Sequence, residues 1–170
     1  VYATGFLKPY KGGKTAFLAL LPENGRDINK VLKVLNGTTY ARMYGTKQTY
    51  KAGKLYVEIP EFKLSDSADL TKYIQAGGVK KAFTSGADFS GLLNETSALC
   101  IDSVAQKTFI QVDRNGTKAA AVTDITVKAT SVGGENYDKY IILDRPFIYA
   151  IVDYATGLPY FMGVINSIGK

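Results

Sequence analysis

One extended stretch sets the tightest limit on the architecture. In residues 54–64, Leu55, Val57 and Ile59 fall on one side of the chain, but beyond Pro60 the apolar positions are Phe62 and Leu64, on the opposite parity. Side chains alternate across a strand, so a buried face that changes side at a proline marks a strand leaving one sheet and entering another. The chain is therefore expected to be a multi-sheet protein, strand-rich and α+β in class. The rest of the pattern supplies its parts. Residues 3–8 and 15–21 are apolar runs split by Lys11-Gly12-Gly13-Lys14, which predicts a hairpin. Asp27 is placed to cap a short helix with Ile28, Val31, Leu32 and Leu35 on one face, and Asn36-Gly37 to close it. Residues 40–50 read as a strand joined to 54–64 near Ala52-Gly53, and Ser67 as the cap of a second helix carrying Leu70, Tyr73, Ile74 and Gly77, ended by Gly78. Residues 80–93 form a compact connector. Residues 99–112 read as a central strand, apolar on parts of both faces, and 137–143, 147–153 and 158–165 as three more.

Composition narrows the chemistry. With no histidine and one cysteine, the chain cannot build a Ser-His-Asp or Cys-His nucleophile system, an HExxH site or a Cys/His zinc cluster. Cys100 sits in an apolar pattern and reads as a small core residue. No cofactor and no metal are expected, and binding is a better expectation than catalysis. The net charge of +6 permits polyanion binding, yet the basic residues are scattered, with Lys80-Lys81 the longest run. No nucleic-acid partner is expected. The longest apolar stretches, 16–21 and 147–152, fall well short of the roughly 20 residues that span a bilayer, so no membrane partner is expected either. The chain begins at Val1 rather than Met and reads as a fragment or processed product.

The segment 113–136 is the odd one. About 24 residues join two strands, longer than most loops in compact domains, and such loops are usually functional or disordered. With period two it separates cleanly. Thr117, Ala119, Ala121, Thr123, Ile125 and Val127 form one face, small at first and larger later; Lys118, Ala120, Val122, Asp124, Thr126 and Lys128 form a more polar one. That is the pattern of a strand with one buried face, preceded by a flexible joint at Gly116. Pattern alone fits a permanent edge strand.

Five motifs in order give a family resemblance. Residues 115–123 (NGTKAAAVT) resemble the serpin hinge, 141–151 (IILDRPFIYAI) the serpin signature, and 86–91 the family's Gly-Ala-Asp-Phe-Ser-Gly. Residues 158–166 (LPYFMGVIN) resemble its closing strand and 17–22 (FLALLP) an earlier one. The resemblance implies the C-terminal part of a single serpin domain over residues 1–170, with a reactive-centre loop at about 114–136 and the N-terminal half of the domain absent. It implies a suicide inhibitor whose loop is cut by a serine or cysteine protease and then inserts into a sheet, trapping the enzyme as an acyl ester. The hinge would comprise Arg114, Asn115, Gly116, Thr117, Lys118, Ala119, Ala120 and Ala121. Inward positions must be small or apolar, because an unpaired buried charge is costly, and all six satisfy that requirement. Family spacing from Gly116 places the scissile bond at Thr130-Ser131, suited to an elastase- or subtilisin-like target; Lys128 is the alternative contact, for a trypsin-like one.

The departures from the family pattern are informative. Arg114 stands where many serpins carry Glu, Lys118 where Glu is again common, and Glu61 where a basic residue is usual. A salt bridge of reversed polarity between Glu61 and Arg114 is therefore expected at the loop's entry point. Gln106 replaces a common His. Asn36, Asn94 and Asn115 lie in glycosylation sequons; a glycan on Asn115 would obstruct insertion, which favours a host that does not glycosylate, such as a bacterium. The family implies an extracellular or cell-surface-facing location. The 170 residues by themselves are not expected to inhibit. Two alternatives remain open: a non-inhibitory serpin acting as a carrier or folding helper, and a β-rich adhesion or carbohydrate-binding module using its twelve tyrosines, which strand packing also explains.

Overall fold

The first two strands form the expected hairpin because Gly12 and Gly13 both turn through positive φ, a conformation other residues rarely adopt. The structure is a computed structural model describing residues 2–46, 54–92, 99–114, 116–118 and 137–168. β1 (Ala3–Pro9) and β2 (Thr15–Pro22) pair antiparallel, and β2 pairs with β8 (Phe147–Asp153), which pairs with β9 (Pro159–Ile165). The four strands form one sheet in the order β1-β2-β8-β9. Both central strands are buried on both faces. On one face Ala16, Leu18, Leu20, Ile148, Ala150 and Val152 form a core cluster with Ile28, Val31 and Tyr44. On the other, the ring of Phe17 packs against those of Phe6 and Tyr149, and Phe62 meets Phe147 and Tyr149.

The helices covering the first face are α1 (Ile28–Val34) and α2 (Gly37–Gly45). Asp27 caps α1 as expected, accepting from the Asn29 N–H at 2.9 Å. The second helix corrects the sequence reading, which had Asn36-Gly37 closing α1 and a strand beginning at Tyr40. Asn36 instead caps α2. Its Oδ1 accepts the Thr39 N–H while Thr39 Oγ1 accepts the Asn36 N–H, a reciprocal box that satisfies two otherwise orphaned donors. Tyr40 and Tyr44, one helical turn apart, then share a face. Their hydroxyls donate to the Gly157 carbonyl at 2.6 Å and the Tyr154 carbonyl at 2.8 Å, clasping the β8–β9 turn. Residues 47–53 lie outside the described residues.

The strand that changes face does change sheet. β3 (Leu55–Glu58) pairs in parallel with β7 (Lys139–Ile142), whereas β4 (Phe62–Asp69) belongs to a three-stranded sheet ordered β4-β5-β6, with β5 at Ala105–Asp113 and β6 at Gly116–Lys118. Two boundaries move. Ser67 lies inside β4 and caps nothing; the next helix, α3 (Thr71–Ala76), starts where Asp69 Oδ1 accepts the Thr71 N–H. The strand expected from Leu99 begins only at Ala105, because the preceding backbone is engaged elsewhere. Ile101 N–H donates to the Ala82 carbonyl, Val104 N–H to Thr71 Oγ1, and the Val104 carbonyl accepts the Leu70 N–H. Cys100, expected in the core, is exposed. The chain divides into two compact units, residues 1–62 with 111–170, and residues 63–110.

Candidate functional site

The site is the turn after β5 and the strand that returns from it. Toward the end of β5, Ile110 and Val112 are 2% and 7% exposed while the alternate Phe109 is 42% exposed, so one face is the more buried there. After Asp113 the chain turns at Arg114. Gly116 completes the reversal at a φ of 138°, in the region that disfavours any side chain. β6 then runs antiparallel to β5 in the register Asp113↔Gly116, Val112↔Thr117 and Gln111↔Lys118. Of the residues named for the hinge, Arg114 lies in the turn and Gly116, Thr117 and Lys118 form β6, the last two described as backbone alone. Asn115, Ala119, Ala120, Ala121, Lys128, Thr130 and Ser131 lie outside the described residues.

Glu61 sits between β3 and β4, just after the proline at which the chain changes sheet. Arg114 Nε donates to Glu61 Oε1 at 3.0 Å, so the sheet-changing corner and the hinge turn are joined by an ion pair. The two side chains are 90% and 57% exposed, which makes the bond a weak, salt-sensitive contact worth about 0–1 kcal/mol. Gln111 Nε2 donates to Asp113 Oδ2 at 2.9 Å on the last turn of β5. Gln106 is exposed.

The chain is described again from Tyr137. Asp138 exchanges hydrogen bonds with Lys54, its N–H donating to the Lys54 carbonyl and its Oδ2 accepting the Lys54 N–H. β7 follows at once. The described strands on either side of segment 119–136 therefore belong to different sheets, β6 with β5 and β7 with β3.

Sequence reasoning missed one feature beside the second anchor. Tyr56, Tyr137 and Tyr140 form a mutual cluster with ring centroids 5.2–5.7 Å apart. Tyr56 OH donates to Glu58 Oε1 at 2.7 Å, and this hydrogen bond holds the phenol protonated by raising its pKa above the usual value. The signal was present in the outward parity of Tyr56, Glu58, Tyr140 and Ile142. Among the described residues, no three His, Cys, Asp or Glu side chains are grouped to hold a metal ion, and no helix is long and apolar enough to cross a membrane.

Comparison with known proteins gives consistent matches. Residues 7–168 match the family model described as Serpin (serine protease inhibitor). The chain is 32% identical over 160 residues to Ipis-1 of Ixodes persulcatus, covering 94% of this chain and 41% of that protein. It is 31% identical over 147 residues to the plasma serine protease inhibitor of Homo sapiens, covering 85% of this chain and 34% of that one. Among solved structures, the thermophilic serpin Tengpin in its native state superposes with a TM-score of 0.75 at 34% identity, over 98% of this chain and 42% of its own. The chain spans about two fifths of the length of such relatives.

Proposed function

The chain belongs to the serpin family, and from that premise we propose that it carries the reactive loop of a suicide protease inhibitor. In this reading the hydroxyl (or thiol) of the target enzyme attacks the Thr130 carbonyl. The Thr130-Ser131 bond breaks, the Ser131 amine leaves, and the enzyme is held as an ester (or thioester) of Thr130. An elastase- or subtilisin-like enzyme suits Thr130, and Lys128 is the alternative contact for a trypsin-like one. The rest of the serpin domain, which the longer relatives carry, supplies the remainder of the sheets. The place of action is outside the cell or facing its surface.

The observation that carries this reading is the register of β6. Among the described residues, β6 is the only strand on its edge of β5, and it covers Gln111–Asp113 alone. Continued without a bulge, the register pairs Ala119 with Ile110, Ala120 with Phe109, Ala121 with Thr108, Val122 with Lys107, Thr123 with Gln106 and Asp124 with Ala105. Paired residues in an antiparallel ladder share a face. The small residues Thr117, Ala119, Ala121 and Thr123 therefore fall on the side of the buried Val112 and Ile110. Ala120, Val122 and Asp124 fall on the side of the exposed Phe109. The small-residue periodicity of the loop and the burial of β5 are independent observations, and they agree in phase. Six new pairs bring about six ladder hydrogen bonds at roughly 0.5–1.5 kcal/mol each, or roughly 3–9 kcal/mol in all, available only when the loop leaves its outer anchor.

The test uses the whole inhibitor, incubated with pancreatic elastase, subtilisin and trypsin. The expected product is a complex that survives boiling in detergent, with the mass of the enzyme plus the inhibitor up to Thr130, and a nicked form more heat-resistant than the intact one. Cleavage with no trapped enzyme and no gain in thermal resistance would replace this reading with that of a non-inhibitory serpin.

A further inference from the structure

We infer that the turn at Asn24-Gly25 is a site of spontaneous covalent modification, where the asparagine closes to a cyclic imide and opens with water to aspartate and isoaspartate. The chemistry belongs to the turn itself and does not depend on the inhibitor reading.

Three Asn-Gly pairs occur in the chain, at 24–25, 36–37 and 115–116. The glycine matters because the reaction is an attack by the next residue's backbone nitrogen on the side-chain carbonyl carbon. A Cβ on that next residue would obstruct the approach and restrict the backbone. In the ring closure the Gly25 nitrogen loses its proton and bonds to Asn24 Cγ. The bond from Cγ to Nδ2 breaks, and Nδ2 leaves as ammonia, taking up that proton. Water then opens the ring, its hydroxyl going to a carbonyl carbon and its proton to the Gly25 nitrogen. Cleavage between that nitrogen and Cγ gives aspartate. Cleavage between the nitrogen and the Asn24 backbone carbonyl carbon gives isoaspartate, whose main chain runs through Cγ.

The two pairs whose asparagines are described sit in opposite environments. Asn24 and Gly25 are the central residues of a turn between the end of β2 and the Asp27 cap of α1. The Arg26 N–H closes this turn by donating to the Glu23 carbonyl at 2.9 Å, and Gly25 has a φ of 74°. That closing bond uses neither the Gly25 N–H nor the Asn24 side chain, and among the described residues no hydrogen bond engages either. The nucleophile and the group it attacks are therefore both unrestrained, within a turn whose ends are tied. Asn36 is the contrast. Its Oδ1 accepts the Thr39 N–H at 2.9 Å and its own N–H donates to Thr39 Oγ1 at 2.8 Å, so its carboxamide is held over the first turn of α2. Gly37 is the first residue of that helix. Ring closure at Asn36 requires the carboxamide to leave its cap bond and Gly37 to leave the helical backbone.

The whole inhibitor is held at mildly alkaline pH, either folded or unfolded in urea, then denatured, digested with trypsin and mapped by mass spectrometry. Cleavage after Lys14, Arg26, Lys33, Arg42, Arg114 and Lys118 puts the three pairs in separate peptides, 15–26, 34–42 and 115–118. Conversion reads as the gain in mass when the side-chain NH2 becomes OH, and the aspartate and isoaspartate products separate by chromatography. The unfolded protein sets the reference, because Asn24 and Asn36 there differ only in their sequence neighbours. In the folded inhibitor Asn24 should convert within about twofold of its unfolded rate, and Asn36 at least about fivefold below its own, the factor that one cap hydrogen bond represents. Folding that slows Asn24 as much as it slows Asn36 would overturn the proposal, whether the turn or the rest of the domain supplies the protection. Peptide 15–26 unconverted in the folded inhibitor but converted in urea would overturn it equally.

Discussion

A single carboxylate moved by one residue tests the proposed insertion register directly. Ala119→Asp places a charge where the continued ladder sets it beside Ile110, which is 2% exposed, with Val112 at 7% on the same face. Ala120→Asp places the same charge beside Phe109, 42% exposed, on the less buried face. An unpaired charge in a buried position costs about 3–5 kcal/mol, comparable with the roughly 3–9 kcal/mol that six ladder bonds offer. If half of that penalty is felt at the insertion barrier, about 1.5–2.5 kcal/mol, insertion slows roughly 10- to 70-fold. A slowed insertion gives the acyl enzyme time to hydrolyse. The number of inhibitor molecules consumed per enzyme trapped should then rise at least severalfold for Ala119→Asp. The exposed substitution, within about 0.5 kcal/mol of neutral, should change it by no more than about twofold. Titration of active enzyme against inhibitor reads this number, and detergent gels separate trapped from merely cleaved inhibitor. The reversed order of effects would mean a register slipped by one residue, which exchanges the faces. Equal effects at the two positions would mean that the loop does not add to β5 in an alternating strand.

Three further outcomes follow from particular contacts. Arg114→Glu and Glu61→Arg should each alter trapping efficiency, and the double reversal should restore it at low ionic strength, with the difference vanishing in about 0.5 M NaCl; additive effects in this double-mutant cycle would show the two charges to be independent. Gly157→Ala should destabilise the whole inhibitor by about 1–3 kcal/mol in denaturant unfolding, since a Cβ there would stand 2.5 Å from the Tyr44 ring at a φ of +79°, whereas Gly13→Ala, in open space, should cost less. The Asp153 carboxyl is held below its ordinary pKa by the Thr156 N–H, then by the Thr156 hydroxyl. A folded pKa below the unfolded value of about 3.9 contributes stability above that pH and loses it as pH falls through the folded value. The thermal advantage of wild type over Asp153→Asn should be constant above about pH 5 and shrink below about pH 4; an unchanged gap would refute the assignment.

How far the fold was legible depends on whether one segment's pattern was enough. The parity change at Pro60 marks the passage from β3 to β4 because a strand's period ties side chain to face without reference to any partner. The hairpin and the Asp27 cap are equally local. Helix α2 was misread because its two clues are weak until combined. Asn36-Gly37 resembles a helix end, and Tyr40 and Tyr44 have ordinary strand composition. Only the Asn36–Thr39 exchange and the carbonyls of Tyr154 and Gly157, more than a hundred residues away, favour the helix. The start of β5 fails for the same reason. Residues 101–104 are apolar enough for a strand, but their backbone groups bond to Ala82, Leu70 and Thr71 instead.

The flexible joint expected at Gly116 was legible because it is set by residue type, a glycine where φ is positive. The tyrosine cluster was not, because tyrosines that pack inward and tyrosines that present a face have the same sequence pattern. Tyr149 is 4% exposed in the main sheet and Tyr140 is 58% exposed in the small one, and only the neighbouring strands separate the two cases. Equally hidden was the division of labour between the loop's anchors. β6 is attached to β5, while β7 is tied to β3 and, through Asp138, to Lys54. On the proposed mechanism, a cut at Thr130-Ser131 would part β6 on one sheet from β7 on another. The proposed insertion would leave the second anchor as it is, and it would begin at the turn of Arg114 and Gly116, beside the weak ion pair to Glu61.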